Sequence, residues 1–169
     1  MSETRSRVLD CIYDNPGIHF SAIGRTLDIA TGQTQYHIRK LCREGSLEKE
    51  KVCGRTHYYP PTFSVWERGV IALLRRETTR EIVLLLLRKE PLPPNEIADR
   101  LELARSTVEW HLSRLVEYDI AEKQEADDGL IIELTKDEEL YRLLREIQPR
   151  LIDRVVDRFS RLTDSLLDD

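Results

Sequence analysis

Residues 21–45 read Ser21-Ala-Ile-Gly-Arg-Thr-Leu-Asp-Ile-Ala-Thr-Gly-Gln-Thr-Gln-Tyr-His-Ile-Arg-Lys-Leu-Cys-Arg-Glu-Gly45, and this stretch decides the fold. Ser21 is placed to cap a short helix through Leu27, with Ile23 and Leu27 inward. Asp28-Ile29-Ala30 makes a tight connection. Thr31 is placed to cap the next helix, Gly32 to Glu44, and Gly45 stops it where glycine tolerates a left-handed backbone. Upstream, Val8, Leu9 and Ile12 recur at helical spacing over Thr4 to Asp14, and Asn15-Pro16-Gly17 ends that helix. Downstream, Leu47 to Val52 and Thr56 to Tyr59 flank a turn at Cys53-Gly54. Helix, helix, turn, helix, hairpin is the order of a winged helix-turn-helix.

The pattern occurs twice. At an offset of 74 residues Ile23 meets Ile97, Leu27 meets Leu101, Ala30 meets Ala104, His37 meets His111, and Leu41 meets Leu115. Val8 with Ile82, Ile12 with Leu86 and Ile38 with Leu112 agree in kind, and no gap is needed until the wing. Asp128-Gly129 is the turn signal of the second hairpin. The expected architecture is mainly α with small β-hairpin wings: two tandem winged helix-turn-helix domains plus C-terminal helices. Residues 1–62 form domain 1, 63–76 a linker helix after Pro60-Pro61, 77–135 domain 2, and 136–169 a helical segment. Trp66, Val70, Leu73 and Leu74 share one side of the linker.

In the last segment Leu140, Leu144, Ile147, Leu151, Val155, Phe159, Leu162 and Leu166 step by three or four, with Pro149 as a break. A stripe this long needs a partner surface. It either packs back on its own domains or pairs across a homodimer, and its length favours pairing.

Composition narrows the class. Apolar residues make up 40% and charged residues 34%, with a net charge of −5. The longest apolar run, Ile82 to Leu87, is six residues and far short of the roughly 20 that span a bilayer. The N-terminus lacks an apolar signal segment, so a cytoplasmic protein without a membrane partner is expected. Cys11, Cys42 and Cys53 form no short pair, which argues against a disulfide framework or zinc knuckle. The four histidines show no metal spacing, and neither a phosphate loop nor a nucleophile elbow occurs, so no enzyme, cofactor or metal is expected.

The third helix of such a domain lies in the major groove. Thr34, Ile38 and Leu41 share its core face, while Gly32, Tyr36, Arg39 and Arg43 lie opposite, flanked by Gln33, Lys40 and Gln35. Glutamine suits adenine N6/N7 and arginine suits guanine O6/N7. Thr31 suits a phosphate at the helix start, and Lys51, Arg55 and His57 on wing 47–59 suit the flanking backbone. His37, beside the core face, reads as a hydrogen-bonded structural histidine rather than a DNA contact. Double-stranded DNA is therefore the expected partner.

Copy two differs at these places: Gln35 becomes Glu109, Tyr36 becomes Trp110, Arg39 becomes Ser113, and Arg43 becomes Glu117. Residues 1–62 carry nine Lys/Arg against seven Asp/Glu, whereas residues 77–135 carry seven against fourteen. Copy one is expected to read DNA, and copy two to act as scaffold or as the surface for a protein partner.

From Asn15-Pro16-Gly17-Ile18-His19-Phe20-Ser21, through Gln35-Tyr36-His37-Ile38-Arg39-Lys40-Leu41, to Glu44-Gly45, the chain resembles archaeal winged-helix transcriptional regulators of the MarR/ArsR-like kind. Asn95 to Lys123 repeats the run more weakly. The resemblance implies transcription control through the third helix and wing. The rival is a tandem winged-helix protein–protein adaptor, which would not need the cations Arg39, Lys40 and Arg43. Cys53, beside Lys51 and Arg55 at the wing tip, is a candidate redox thiol, with an incidental surface cysteine as the plainer alternative.

Overall fold

The computed structural model describes residues 2–88 and 90–147. Copy one comprises α1 (Glu3–Asp14), β1 (Ile18–His19), α2 (Phe20–Leu27), α3 (Thr31–Arg43), β2 (Glu48–Val52) and β3 (Arg55–Tyr59). Helix α4 (Val65–Leu74) leads to copy two: α5 (Glu77–Leu86), α6 (Pro94–Leu101), α7 (Arg105–Glu117), β4 (Ala121–Ala126) and β5 (Gly129–Leu134). Compact packing unites the chain through Thr135; α8 (Asp137–Ile147) belongs to a separate unit beginning at Lys136. Helix α8 buries Leu140, Leu143 and Leu144 and leaves Ile147 half-buried. Leu151, Val155, Phe159, Leu162 and Leu166 lie outside the described residues.

The offset of 74 runs through the wings as well. Glu48 pairs with Tyr59 in the first hairpin and Glu122 with Glu133 in the second, two pairs related by that shift. Ile18 pairs with Tyr58, and Leu92 bridges Ile132 in the same way. The turn residues hid this agreement. Cys53 and Gly54 both have positive φ, the backbone that matches strand twist in a two-residue hairpin. In copy two the loop is Asp127-Asp128, and Gly129 opens β5 with φ of 120°, which corrects the expected Asp128-Gly129 turn.

One set of core positions serves both copies. Val8, Ile12, Ile23, Ile38, Leu41, Leu47 and Tyr58 are buried together, and the shifted residues Ile82, Leu86, Ile97, Leu112, Leu115, Ala121 and Ile132 are buried too. Burial of such side chains contributes about 1.5–3 kcal/mol each before entropy is counted. Even the connections match: Asp28 and Glu102 end α2 and α6 in the left-handed region, at φ of 52° and 54°.

Two expected caps are not formed. The N-caps of α2 and α3 are His19 and Ala30, neither with a side-chain cap bond. Thr31 is already inside α3, and the Ser21 hydroxyl turns to the His19 ring. Packing of Ile23, Ile38 and Leu41, rather than capping, holds these two helices.

Helix α4 is more than a linker. Ser64 and Glu67 close a capping box at its start, and Gly69 through Leu74 are all buried. That second half is apolar on every side, as an interior segment is. The helix packs on the back of the first wing, where the Arg68 guanidinium meets Glu50 at 3.2 Å and the Tyr59 hydroxyl donates to the Arg68 carbonyl at 2.7 Å. On its other side Gly69 faces Tyr118 of copy two. A Cβ at Gly69 would fall 2.7 Å from the Tyr118 ring. Trp66 Nε1 reaches the Asp119 carbonyl at 3.4 Å, so α4 ties the first wing to the end of α7.

Candidate nucleic-acid interface

Helix α3 presents its polar side outward as the angular spacing requires. Thr34, His37, Ile38 and Leu41 are buried, while Thr31, Gln33, Gln35, Tyr36, Arg39 and Arg43 are exposed. Lys40 is half-buried on the flank, and Lys51 and Arg55 on the wing are exposed.

His57 is the one predicted contact that the fold withdraws. It is 5% exposed, and its Nδ1 donates to the Gly17 carbonyl at 2.6 Å. Strand alternation explains this. Lys49, Lys51, Thr56 and Tyr58 share one face of the hairpin, whereas Glu50 and His57 share the face toward α4.

A groove of about 1370 Å³ runs between α2, α3 and the wing. Thr31, Gln35, Arg39, Arg43 and Arg55 line it, as do Arg25, Lys49 and His19, which the sequence did not single out. Gln33, Tyr36, Lys40, Lys51 and Cys53 are not among its walls. The two missed cations had a signal: Lys49 lies two residues from Lys51 on the same strand face, and Arg25 lies in the last turn of α2. No carboxylate lines the groove. Among the described residues, Arg25, Arg39, Arg43, Lys49 and Arg55 form no ion pair.

Copy two places acids at the matching points. Shifted by 74, Arg25 becomes Asp99, Gln35 Glu109, Arg43 Glu117 and Lys51 Glu125. Its remaining cations are engaged: Glu109 meets Arg105 at 3.8 Å and Lys123 at 3.9 Å, and Glu117 meets Arg114 at 3.3 Å. Trp110, at the position of Tyr36, is 43% exposed and sits under the Arg76 and Arg114 guanidiniums at 5.3 and 5.7 Å.

The paired histidines are buried differently. His111 Nδ1 lies 2.9 Å from the Thr79 hydroxyl, whereas His37 Nδ1 is buried without a partner, and so is the Nε of Arg5, which replaces threonine there. The hydrogen bond expected of His37 is thus made only by its counterpart. Cys53 is half-buried at the wing turn. Among the described residues no His, Cys, Asp and Glu cluster could hold a metal, and no helix is long and apolar enough to cross a membrane.

Two small domains, each with a helix-turn-helix and a hairpin wing, define a tandem winged helix-turn-helix protein. Family models agree: an N-terminal HTH domain (HVO_0163 family) matches residues 2–71, and a helix-turn-helix domain (HTH_20) matches residues 73–124. The chain is 27% identical over 131 residues to the uncharacterized HTH-type transcriptional regulator MJ1398 of Methanocaldococcus jannaschii. That alignment takes in 78% of this chain but 33% of the relative, so the chain spans about a third of it. Among solved structures, HlyU from Vibrio cholerae is 22% identical with a TM-score of 0.42, covering 50% of this chain and 94% of that one. An ArsR-like transcriptional regulator from Rhodococcus sp. RHA1 is 22% identical with a TM-score of 0.41, covering 57% and 92%.

Proposed function

We propose that the protein is a sequence-specific DNA-binding transcriptional regulator, not an enzyme, with copy one as its DNA reader. Helix α3 enters the major groove, where Gln33, Gln35, Arg39 and Arg43 face base edges. Thr31, Tyr36, Lys40, Lys51 and Arg55 serve the flanking backbone, joined by Arg25 and Lys49. The observation that carries this is the groove of copy one, with five cations and no carboxylate on its walls. Copy two supports the same division, because its acids neutralise the equivalent surface. The MJ1398 relative, named as an HTH-type transcriptional regulator, points the same way.

A fluorescence-anisotropy titration on the upstream DNA of the protein's own gene, at several salt concentrations, tests the proposal. Wild type is run beside the double variant Arg39→Ala/Arg43→Ala. Binding that weakens with salt and is lost in the variant supports copy one as the reader. Equal binding by both proteins excludes α3 as the reading element.

A further inference from the structure

The groove wall opposite α3 carries a group that can change charge. His19 ends β1 and forms the N-cap position of α2, so its ring projects between the wing and α2. Its Nδ1 lies 2.8 Å from the Ser21 hydroxyl. A hydroxyl can donate to a neutral ring or accept from a protonated one, so Ser21 holds the imidazole in either state. His57 stands across the strand pair at right angles, with ring centroids 6.4 Å apart.

Every charge acting on His19 from its neighbours is positive: Arg55 from β3, Arg25 from α2 and Arg75 from α4. Arg39 and Arg43 of α3 and Lys49 of β2 line the same groove. Burial first, then Arg55, Arg25 and Arg75, hold the ring below the usual imidazole range. The free groove therefore carries a neutral His19 at pH 7. A phosphate seated against Arg25 and Arg55 reverses the local field and favours the imidazolium.

Building on the assignment of copy one as the DNA reader, we propose that His19, held by Ser21 between Arg25 and Arg55, contacts a DNA phosphate as its imidazolium, so that DNA binding takes up one proton. The ring then donates Nδ1–H to Ser21 and Nε2–H to the phosphate oxygen. The proton comes from solvent and adds to the free ring nitrogen, and no bond forms between protein and DNA. The sign follows directly: binding prefers the protonated ring, so affinity rises as pH falls through the interval between the free and bound ring's proton affinities. The other titratable groups of the groove do not supply this effect. Burial pushes the Cys42 thiol and the Tyr58 phenol of the groove wall up, and burial keeps the neighbouring His57 neutral while its Nδ1 stays on Gly17. Copy two cannot share the device, because the residue 74 positions on is Pro93.

The test is binding of a random-sequence 20-base-pair duplex at pH 8 and pH 6 at constant ionic strength, for wild type and His19→Gln. A random duplex suffices because phosphate contacts are sequence-independent. Wild type is expected to bind tighter at pH 6 than at pH 8, roughly tenfold for each unit by which the bound ring's midpoint lies above pH 6. His19→Gln is expected to bind equally at both. Should the variant fold poorly, the His19 ring signal in a proton NMR titration of wild type, with and without duplex, gives the same answer through an upward shift in its midpoint. Wild-type binding independent of pH, or full pH dependence retained in His19→Gln, overturns the proton link and leaves the DNA reader intact. No duplex binding at either pH overturns both.

Discussion

Copy two offers its own control for the charge of copy one, because grafting two of its residues back should weaken DNA binding by a calculable amount. The variant is Gln35→Glu/Arg43→Glu, which installs the charges of Glu109 and Glu117 at the matching points. The wild-type groove has five cations, Arg25, Arg39, Arg43, Lys49 and Arg55, and no acid. If each meets one phosphate, the slope of log affinity against log salt is about −4.5, and binding falls about 500-fold between 50 and 200 mM salt. The variant lowers the net groove charge by three. Lys49 also becomes engaged by the new carboxylate, as Lys123 is by Glu109 at 3.9 Å. With Arg43 gone and Lys49 engaged, three cations remain to meet phosphates, so the slope should shrink to about −2.7 and the loss over the same range to about 40-fold. Anisotropy titrations at four salt concentrations give both slopes, and circular dichroism checks the fold. Both substituted positions are exposed, where replacements usually stay within about 0.5 kcal/mol of stability. An unchanged slope in a folded variant would show that the phosphates lie elsewhere, and the assignment of the groove would fall.

Three further outcomes bear on the scaffold. Gly17 has φ of 80°, and a Cβ there would lie 2.8 Å from Ile71, so Gly17→Ala should cost about 2–4 kcal/mol in chemical denaturation; a loss below 1 would contradict this packing. Ser64→Ala opens the capping box of α4 and should cost about 1 kcal/mol, seen as a lower denaturation midpoint at unchanged slope. Arg5→Thr places a hydroxyl where copy two uses Thr79 to bond His111, and it removes a buried unpaired Nε. Against the loss of a 3.6 Å pair with Glu44, it should raise stability by about 1 kcal/mol; a lower midpoint would show that Arg5 is held by contacts more valuable than those to Glu44.

Most of this fold was legible because the repeat supplied two readings of each element. Ile23 and Ile97, or Ile38 and Leu112, locate the same core positions twice, and all four are buried. The inner and outer sides of α3 followed from angular spacing alone. What escaped depends on contacts distant in sequence. Nothing local marks β1, two residues long, whose strand character comes from pairing with β3 some forty residues away. His57 looks like a wing contact until the register puts it beside Gly17. Arg25 and His19 join the groove only when α2 and the wing close around α3. Ser21 and Thr31 looked like caps by residue type, but tertiary packing puts the caps at His19 and Ala30, two residues and one residue earlier.

The two copies also show why fold alone is a poor guide to what a winged helix binds. Their cores coincide position by position, while the outward face of α3 is cationic and that of α7 carries paired, balanced charges. Those outward positions contribute little to stability, so they were free to diverge without disturbing the core. The contacts that join the copies are of the other kind. Gly69 is needed for the Tyr118 ring to approach α4, and Trp66 of α4 reaches the Asp119 carbonyl beside that tyrosine. Helix α4 grips the back of that wing through Arg68 and Tyr59. Copy two thus fixes the position of the hairpin whose other face carries Lys49 and Lys51. An acidic second copy is compatible with DNA binding by the first for this reason: its structural role runs through Tyr118 and α4, and neither depends on the charge of α7's outer face.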